Sequence, residues 1–260
     1  MNLGSEDQRQ HPTIVTATCG VCGGNYPLDS NGNFREGKLC LICGSSGRSQ
    51  AIAYAVSQYV FRQDRPLVSL DKRVDVKILG LSDAQIYAKA LEQKCRYINT
   101  YYHKAPYLNI MKPGLRYRGR FDALISADVF EHAIGPPAAA FKGAYKILKT
   151  GGYLVLTVPF SNSEPHREHY PGLVNYTSEE ISEGIWVAHL EFQGGTKTLE
   201  ESPCFHGGPG KTLELRLFNR ARLKEELTWA GFHSIHIQDE NIPERGINWS
   251  PFSRLIVAQK

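Results

Sequence analysis

From Val74 onward, short apolar runs alternate with stretches of helical spacing. VDVKILGL (Val74 to Leu81) has the texture of a buried strand, and DAQIYAKALEQ (Asp83 to Gln93) of the helix after it. RYINTYY gives a second strand, FDALISADVF (Phe121 to Phe130) a third that runs into a loop, and GGYLVLTVPF (Gly151 to Phe160) a fourth. Between the last two lies a helix, PPAAAFKGAYKIL (Pro136 to Leu148), opened by prolines whose missing N–H groups cost nothing there. A final unit has the helix NRARLKEELTWAG (Asn219 to Gly231), the strand FHSIHIQ and a last strand at SRLIVAQ. Gly231 stands where a helix end takes a left-handed residue. Strand and helix in alternation predict an α/β domain, a Rossmann-like, mostly parallel sheet with helices on both faces.

Two stretches depart from this rhythm. Residues 161–216 are long, rich in glycine and aromatics, and irregular in pattern, as expected of an insertion that covers a site. Residues 16–49 carry Gly, Asn, Ser and Cys but too few large apolar side chains for a core of their own, so they need a staple. The expected organisation is a flexible polar leader over residues 1–15, a small module over 16–49, a connecting amphipathic helix and linker over 50–72 (AIAYAVSQYVF), and the main domain over 73–260.

The staple is visible in the cysteine spacing. Cys19-x-x-Cys22 and Cys40-x-x-Cys43 are two pairs at the separation of a zinc site, and four thiolates close a tetrahedron around one ion. With every position filled by protein, such a Zn2+ is structural. Cys95 and Cys204 lie outside the module and read as small, buried or half-buried residues.

Composition narrows the function classes. The formal charge is +4 with scattered basic residues, a weak footprint for a nucleic-acid partner. No apolar run reaches the length of a membrane helix, and MNLGSEDQRQHPT has neither a secretory nor a transit pattern, so a cytoplasmic protein is expected.

In an open parallel sheet, ligands bind beyond the carboxyl ends of the strands. The loop after the first strand is Gly80-Leu81-Ser82-Asp83, with Ser82 or Asp83 as the expected helix cap. The third strand leads to Ala127-Asp128-Val129 and then to Glu131-His132. Phe121-Asp122, Glu131-His132, Leu148-Lys149-Thr150-Gly151-Gly152 and Val158-Pro159 together resemble the second half of class I S-adenosylmethionine-dependent methyltransferases. The chain further resembles a subgroup with a C-x-x-C…C-x-x-C-G-S-x-x-R front module, an EH-[FY]-P stretch (Glu168-His169-Tyr170-Pro171) and a block FHGGPG-x-TLE-x-R (Phe205 to Arg216).

That resemblance implies S-adenosyl-L-methionine as cofactor, bound along Gly80, Leu81, Ser82, Asp83, Asn99, Thr100, Asn109, Ile110, Ala127, Asp128 and Val129. Asn99 and Thr100 stand where many such enzymes place a ribose-binding acid. Methyl transfer to a hydroxyl needs a base, and His132 with Glu131, His169 and His206 are the candidates. The expected acceptor is a small molecule or sugar. RNA or protein docked by the cysteine module, or a non-catalytic binding protein with a degenerate methyltransferase domain, are the rival expectations.

Overall fold

A computed structural model of the chain describes residues 15–28, 39–163, 165–206, 212–249 and 253–260. Strands β1 (Val15–Thr18) and β2 (Asn25–Leu28) form an antiparallel pair that leads into helix α1 (Gly47–Ala55). Ser46 caps α1 by accepting from Ser49 N–H. The helix continues as a π-helical turn, Val56–Phe61, and stops at Arg62, whose φ is 58°.

The main unit begins with β3 (Arg73–Leu81), α2 (Gln85–Lys94), β4 (Cys95–Thr100), β5 (Phe121–Ala127), α3 (Pro137–Ile147) and β6 (Leu148–Ser161). The insertion carries β7 (Arg167–Glu168), β8 (Leu173–Ser182), β9 (Ile185–Phe192), β10 (Lys197–Glu200), β11 (Phe205–His206) and β12 (Thr212–Leu213). The chain returns through β13 (Arg216–Asn219), α4 (Arg220–Ala230), β14 (His233–Gln238) and β15 (Ser253–Gln259). Gly231 ends α4 in the left-handed region, as expected. No helix among the described residues is long and apolar enough to cross a membrane.

The large sheet has the order β14-β15-β6-β5-β3-β4. β4, β3, β5 and β6 run parallel, β15 lies antiparallel to β6, and β14 antiparallel to β15. β13 adds to the end of β6 in parallel and joins β7 antiparallel. This is the Rossmann-like, mostly parallel sheet with helices on both faces that the sequence led us to expect.

Helices cover both faces because successive residues of the strands point opposite ways. Ile78, Ala123, Ile125, Val155 and Val257 pack with α1 and α2 in one core cluster, together with Ala17, Cys19 and Cys40. Leu79, Leu124, Leu154, Leu156 and Ile256 pack with α3 and α4 in the other. The front module thus shares a continuous core with the sheet, and α1 is buried on most of its surface rather than along one stripe.

One expectation fails in the insertion. Residues 161–216 are mostly strand, with β8, β9 and β10 forming a three-stranded antiparallel sheet. β8 is exposed along nearly all its length, so it carries no apolar stripe of period two for a sequence reading to detect. Its small core comprises Leu173, Ala188, Leu190, Leu213 and Leu215.

Candidate active site

The chain leaves β3 for β4 on one side and returns to β5 on the other, which opens a crevice at the carboxyl ends of these strands. A cavity of ≈ 510 Å³ lies there, lined by residues 81–82, 100–103, 108–111, 128–129 and 132–134, with Tyr176 and Thr212 of the insertion. Of the residues expected along the cofactor, Leu81, Ser82, Thr100, Asn109, Ile110, Asp128 and Val129 line the cavity. Gly80, Asp83, Asn99 and Ala127 are not among its lining residues.

Gly80, Asp83 and Asn99 instead build the turn behind it. Ser82 takes a φ of 55°, and its N–H donates to Thr100 O at 2.8 Å. Asn99 Oδ1 accepts from Asp83 N–H and its Nδ2 donates to Asp83 O, both at 2.9 Å. Both halves of the amide are therefore engaged by the loop, which a carboxylate at this position could not reproduce.

The Asp83 side chain is buried, and Tyr97 Oη donates to its Oδ2 at 2.7 Å. Burial pushes its pKa up to about 7, against the hydrogen bonds from Tyr97 and Tyr87. Neither Ser82 nor Asp83 caps α2; Ala84 holds that position without a side-chain bond. A Cβ on Gly80 would stand 2.2 Å from Asp83 Oδ2 and 2.3 Å from Tyr97 Oη, so the lone glycine of this loop clears space for the buried carboxyl.

Asp128 follows β5 in the left-handed region, with φ 49°. Thr157 Oγ1 donates to its Oδ1 at 2.8 Å, Asp128 N–H donates to Thr157 O, and Arg48 pairs with Oδ2. Arg48 is the arginine of the C-G-S-x-x-R stretch and sits in the first turn of α1. A sequence reading sees the motif but not its partner, which lies 80 positions away.

Glu131 is fully buried and His132 lines the cavity. His132 Nδ1 lies 2.7 Å from Leu213 O. A carbonyl only accepts, so the hydrogen-bond network assigns the proton to Nδ1 and leaves Nε2 as the acceptor, 3.6 Å from Glu131 Oε1.

The loop that carries both residues is fixed by Arg216, itself 2% exposed. Its Nε donates to both carboxylate oxygens of Glu168 at 2.9 and 3.1 Å. Nη1 donates to Phe130 O and Ala133 O, and Nη2 to Gly135 O. Leu215 N–H adds a bond to Glu131 O at 2.9 Å. The EH pair, the EHYP stretch and the TLELR block thus meet at one buried guanidinium, a role the sequence does not reveal.

His169 does not line the cavity; its Nε2 lies 3.5 Å from Glu214 Oε1. His206 lies in β11 with its side chain outside the described residues, as are residues 207–211 of the glycine-rich turn.

At the front of the molecule, the Sγ atoms of Cys19, Cys22, Cys40 and Cys43 lie within 4.8 Å of one another. The Cys19–Cys43 and Cys22–Cys40 separations are both 3.6 Å. Cys22 N–H points at Cys19 Sγ from 3.3 Å, and Gly23 and Gly44 turn the chain at positive φ. Burial opposes ionisation of Cys19, but the hydrogen bonds from Cys22, Ser45, Val21 and Gln50 outweigh it and bring the thiol to about 7. Burial pushes Cys22 and Cys43 up.

No protein-family model matches the chain. No curated protein matches it either. Among solved structures, it is similar to 1,6-didemethyltoxoflavin-N1-methyltransferase of Burkholderia thailandensis, with 14% identity over 82% of this chain and 88% of that one and a TM-score of 0.43. An amino pentose methyltransferase of calicheamicin biosynthesis from Micromonospora echinaspora gives 14% identity over 83% and 92%, with a TM-score of 0.46. An S-adenosylmethionine-dependent methyltransferase of Clostridium acetobutylicum gives 12% over 72% and 84%, with a TM-score of 0.43.

Proposed function

We propose that this chain is a cytoplasmic S-adenosylmethionine-dependent methyltransferase that methylates an oxygen of a small molecule or sugar. The observation that carries the reading is the convergence, in one ≈ 510 Å³ cavity at the switch of strand order, of Ser82, Thr100, Asn109, Asp128 and the His132 imidazole. The residues fit the cofactor in kind: a carboxylate held by Arg48, amide and hydroxyl groups, and apolar walls from Leu81, Leu108 and Ile110.

When bound, the cofactor supplies an electrophilic methyl on a sulfonium. The protein's part is to hold the acceptor hydroxyl in line and take its proton. His132 is placed for this, because it lines the cavity and Leu213 O keeps its proton on Nδ1, which makes Nε2 the basic nitrogen. With cofactor and acceptor bound, Nε2 of His132 would take the acceptor hydroxyl's proton. The buried Glu131 carboxyl beside it stabilises the imidazolium that forms.

The four thiols fit a structural Zn2+. Bonds of about 2.3 Å in a tetrahedron give S–S edges of about 3.8 Å, near the separations seen here. Leu41 and Ile42, exposed between Cys40 and Cys43, support the second reading, a macromolecular acceptor docked by this module. That reading requires methyl transfer to RNA or protein, lost when both residues are made polar.

Calorimetry with S-adenosylmethionine and its demethylated product tests the primary reading. Binding of both, followed by methyl transfer to nucleotide sugars, glycans or small phenols, supports it. Absence of binding by the folded, zinc-loaded protein leaves a non-catalytic protein.

A further inference from the structure

A second cluster of metal-binding side chains stands apart from the front module. His169, Cys204 and Glu214 each bring one ligand atom within 4.8 Å of the other two. They come from three separate segments, after β7, before β11 and between β12 and β13. Hydrogen bonds hold these segments together without any help from the three candidate ligand side chains. His169 N–H donates to Leu215 O at 2.8 Å, Glu214 N–H to Cys204 O at 2.8 Å, and Cys204 N–H to Tyr170 Oη at 3.1 Å.

The spacing is not that of an ordinary histidine–carboxylate hydrogen bond. Elsewhere in this chain His189 and Glu179 make such a bond at 2.7 Å. His169 Nε2 and Glu214 Oε1 stand 3.5 Å apart, and the imidazole nitrogen is buried with no hydrogen-bond partner among the described residues. Metal–nitrogen and metal–oxygen bonds of about 2.1 Å in a tetrahedron set their ligand atoms about 3.4 Å apart. Cys204 is a free thiol, the soft third donor that favours zinc over magnesium or calcium.

We propose that His169 Nε2, Cys204 Sγ and Glu214 Oε1 form a second Zn2+ site, distinct from the four-cysteine module. Three protein ligands leave a fourth position, and the partial exposure of His169 and Glu214, 19% and 18%, admits a water or one oxygen ligand from solvent. The ion would pin the segment whose Leu213 carbonyl orients His132, and it would remove His169 from the list of bases. The site itself does not depend on the proposed activity.

The full-length chain, loaded with Zn2+ and freed of loose metal, provides the test by elemental analysis and chelator competition. Roughly two zinc ions per chain are expected, one retained in Cys40→Ser and the other in Cys204→Ser. His169→Asn and Glu214→Gln should weaken the second ion by more than about 100-fold, since outer partners of a metal alone are worth about 10–100-fold. Zinc X-ray absorption of the unmutated protein avoids any loss of fold in the variants. A shell averaging well below four sulfurs supports the site. A pure four-sulfur shell, or zinc content unchanged by all three insertion variants, overturns it. Failure of the front module to bind would leave one ion, lost in Cys204→Ser and kept in Cys40→Ser.

Discussion

The guanidinium of Arg48, in the first turn after the cysteine pairs, is the ion-pair partner of Asp128 at the end of the central strand β5. The Asp128 side chain is only 4% exposed, so this pair ties the front module to the mouth of the cavity from inside the fold. Arg48→Ala should lower thermal stability and weaken S-adenosylmethionine binding by about 10-fold or more. The loss in stability should fall below the ~3–5 kcal/mol of a fully buried broken pair, because Arg48 is 25% exposed. Calorimetry and thermal denaturation check both, and unchanged binding would detach Asp128 from the cofactor.

Metal removal should act through the same pair. Ser45 Oγ lies 3.3 Å from the Sγ atoms of both Cys19 and Cys43, and it accepts from Gln50 Nε2 at 2.7 Å. Loss of the metal frees these thiols and with them the first turn of α1. A strong chelator should therefore weaken cofactor binding in the unmutated chain but add little to the defect of Arg48→Ala. Additive losses in the two would show that the module acts by another route.

The buried Asp83 predicts a pH dependence of stability. Its folded pKa, about 7, lies above the ordinary 3.8, so the fold favours the neutral carboxyl. Its contribution is fully present below 3.8 and is lost as pH rises through about 7. Asp83→Asn keeps an oxygen for Tyr97 and cannot ionise. Relative to the parent, its melting temperature should rise as pH climbs from about 4 to about 7 and level off near pH 8, by roughly 2–4 °C for each ~1 kcal/mol. Parallel curves from pH 5 to 8 would contradict the buried titration.

Asn99→Asp offers a check on the same turn. The substitution removes the Nδ2 donor to Asp83 O and sets a second carboxyl near the first. Cofactor binding should weaken by several-fold, where a ribose contact at this position would have tightened it.

For the base, His132→Ala should reduce turnover by roughly 10²–10⁴-fold with cofactor affinity nearly unchanged. Single-turnover rates beside calorimetry separate the two effects. Normal turnover would exclude His132 from proton transfer.

Strands buried on both faces were legible because their apolar runs are continuous: β3, β5, β6 and β15 lie within a few residues of where their sequences point. The cysteine cluster was legible from spacing alone. The exposed sheet of the insertion was not, since β8 and β10 present polar residues to solvent on both faces. The roles of Arg48 and Arg216 were hidden for another reason. Arg48 is defined by a partner 80 positions away, and Arg216 by a carboxylate 48 positions away and by backbone carbonyls 81 to 86 positions away, which leave no trace in residue identity.

Gly143 on α3 shows how far the shape of the cavity reaches. A Cβ there would stand 1.8 Å from Ile110 O, so any side chain at this helix position must displace the loop that carries Asn109, Ile110 and Met111. The room available to a ligand is thus set in part by a residue that never meets it. In a directed-evolution library, acceptor range should respond to changes at position 143 as readily as to changes in the pocket wall, and a screen confined to wall residues would overlook that control.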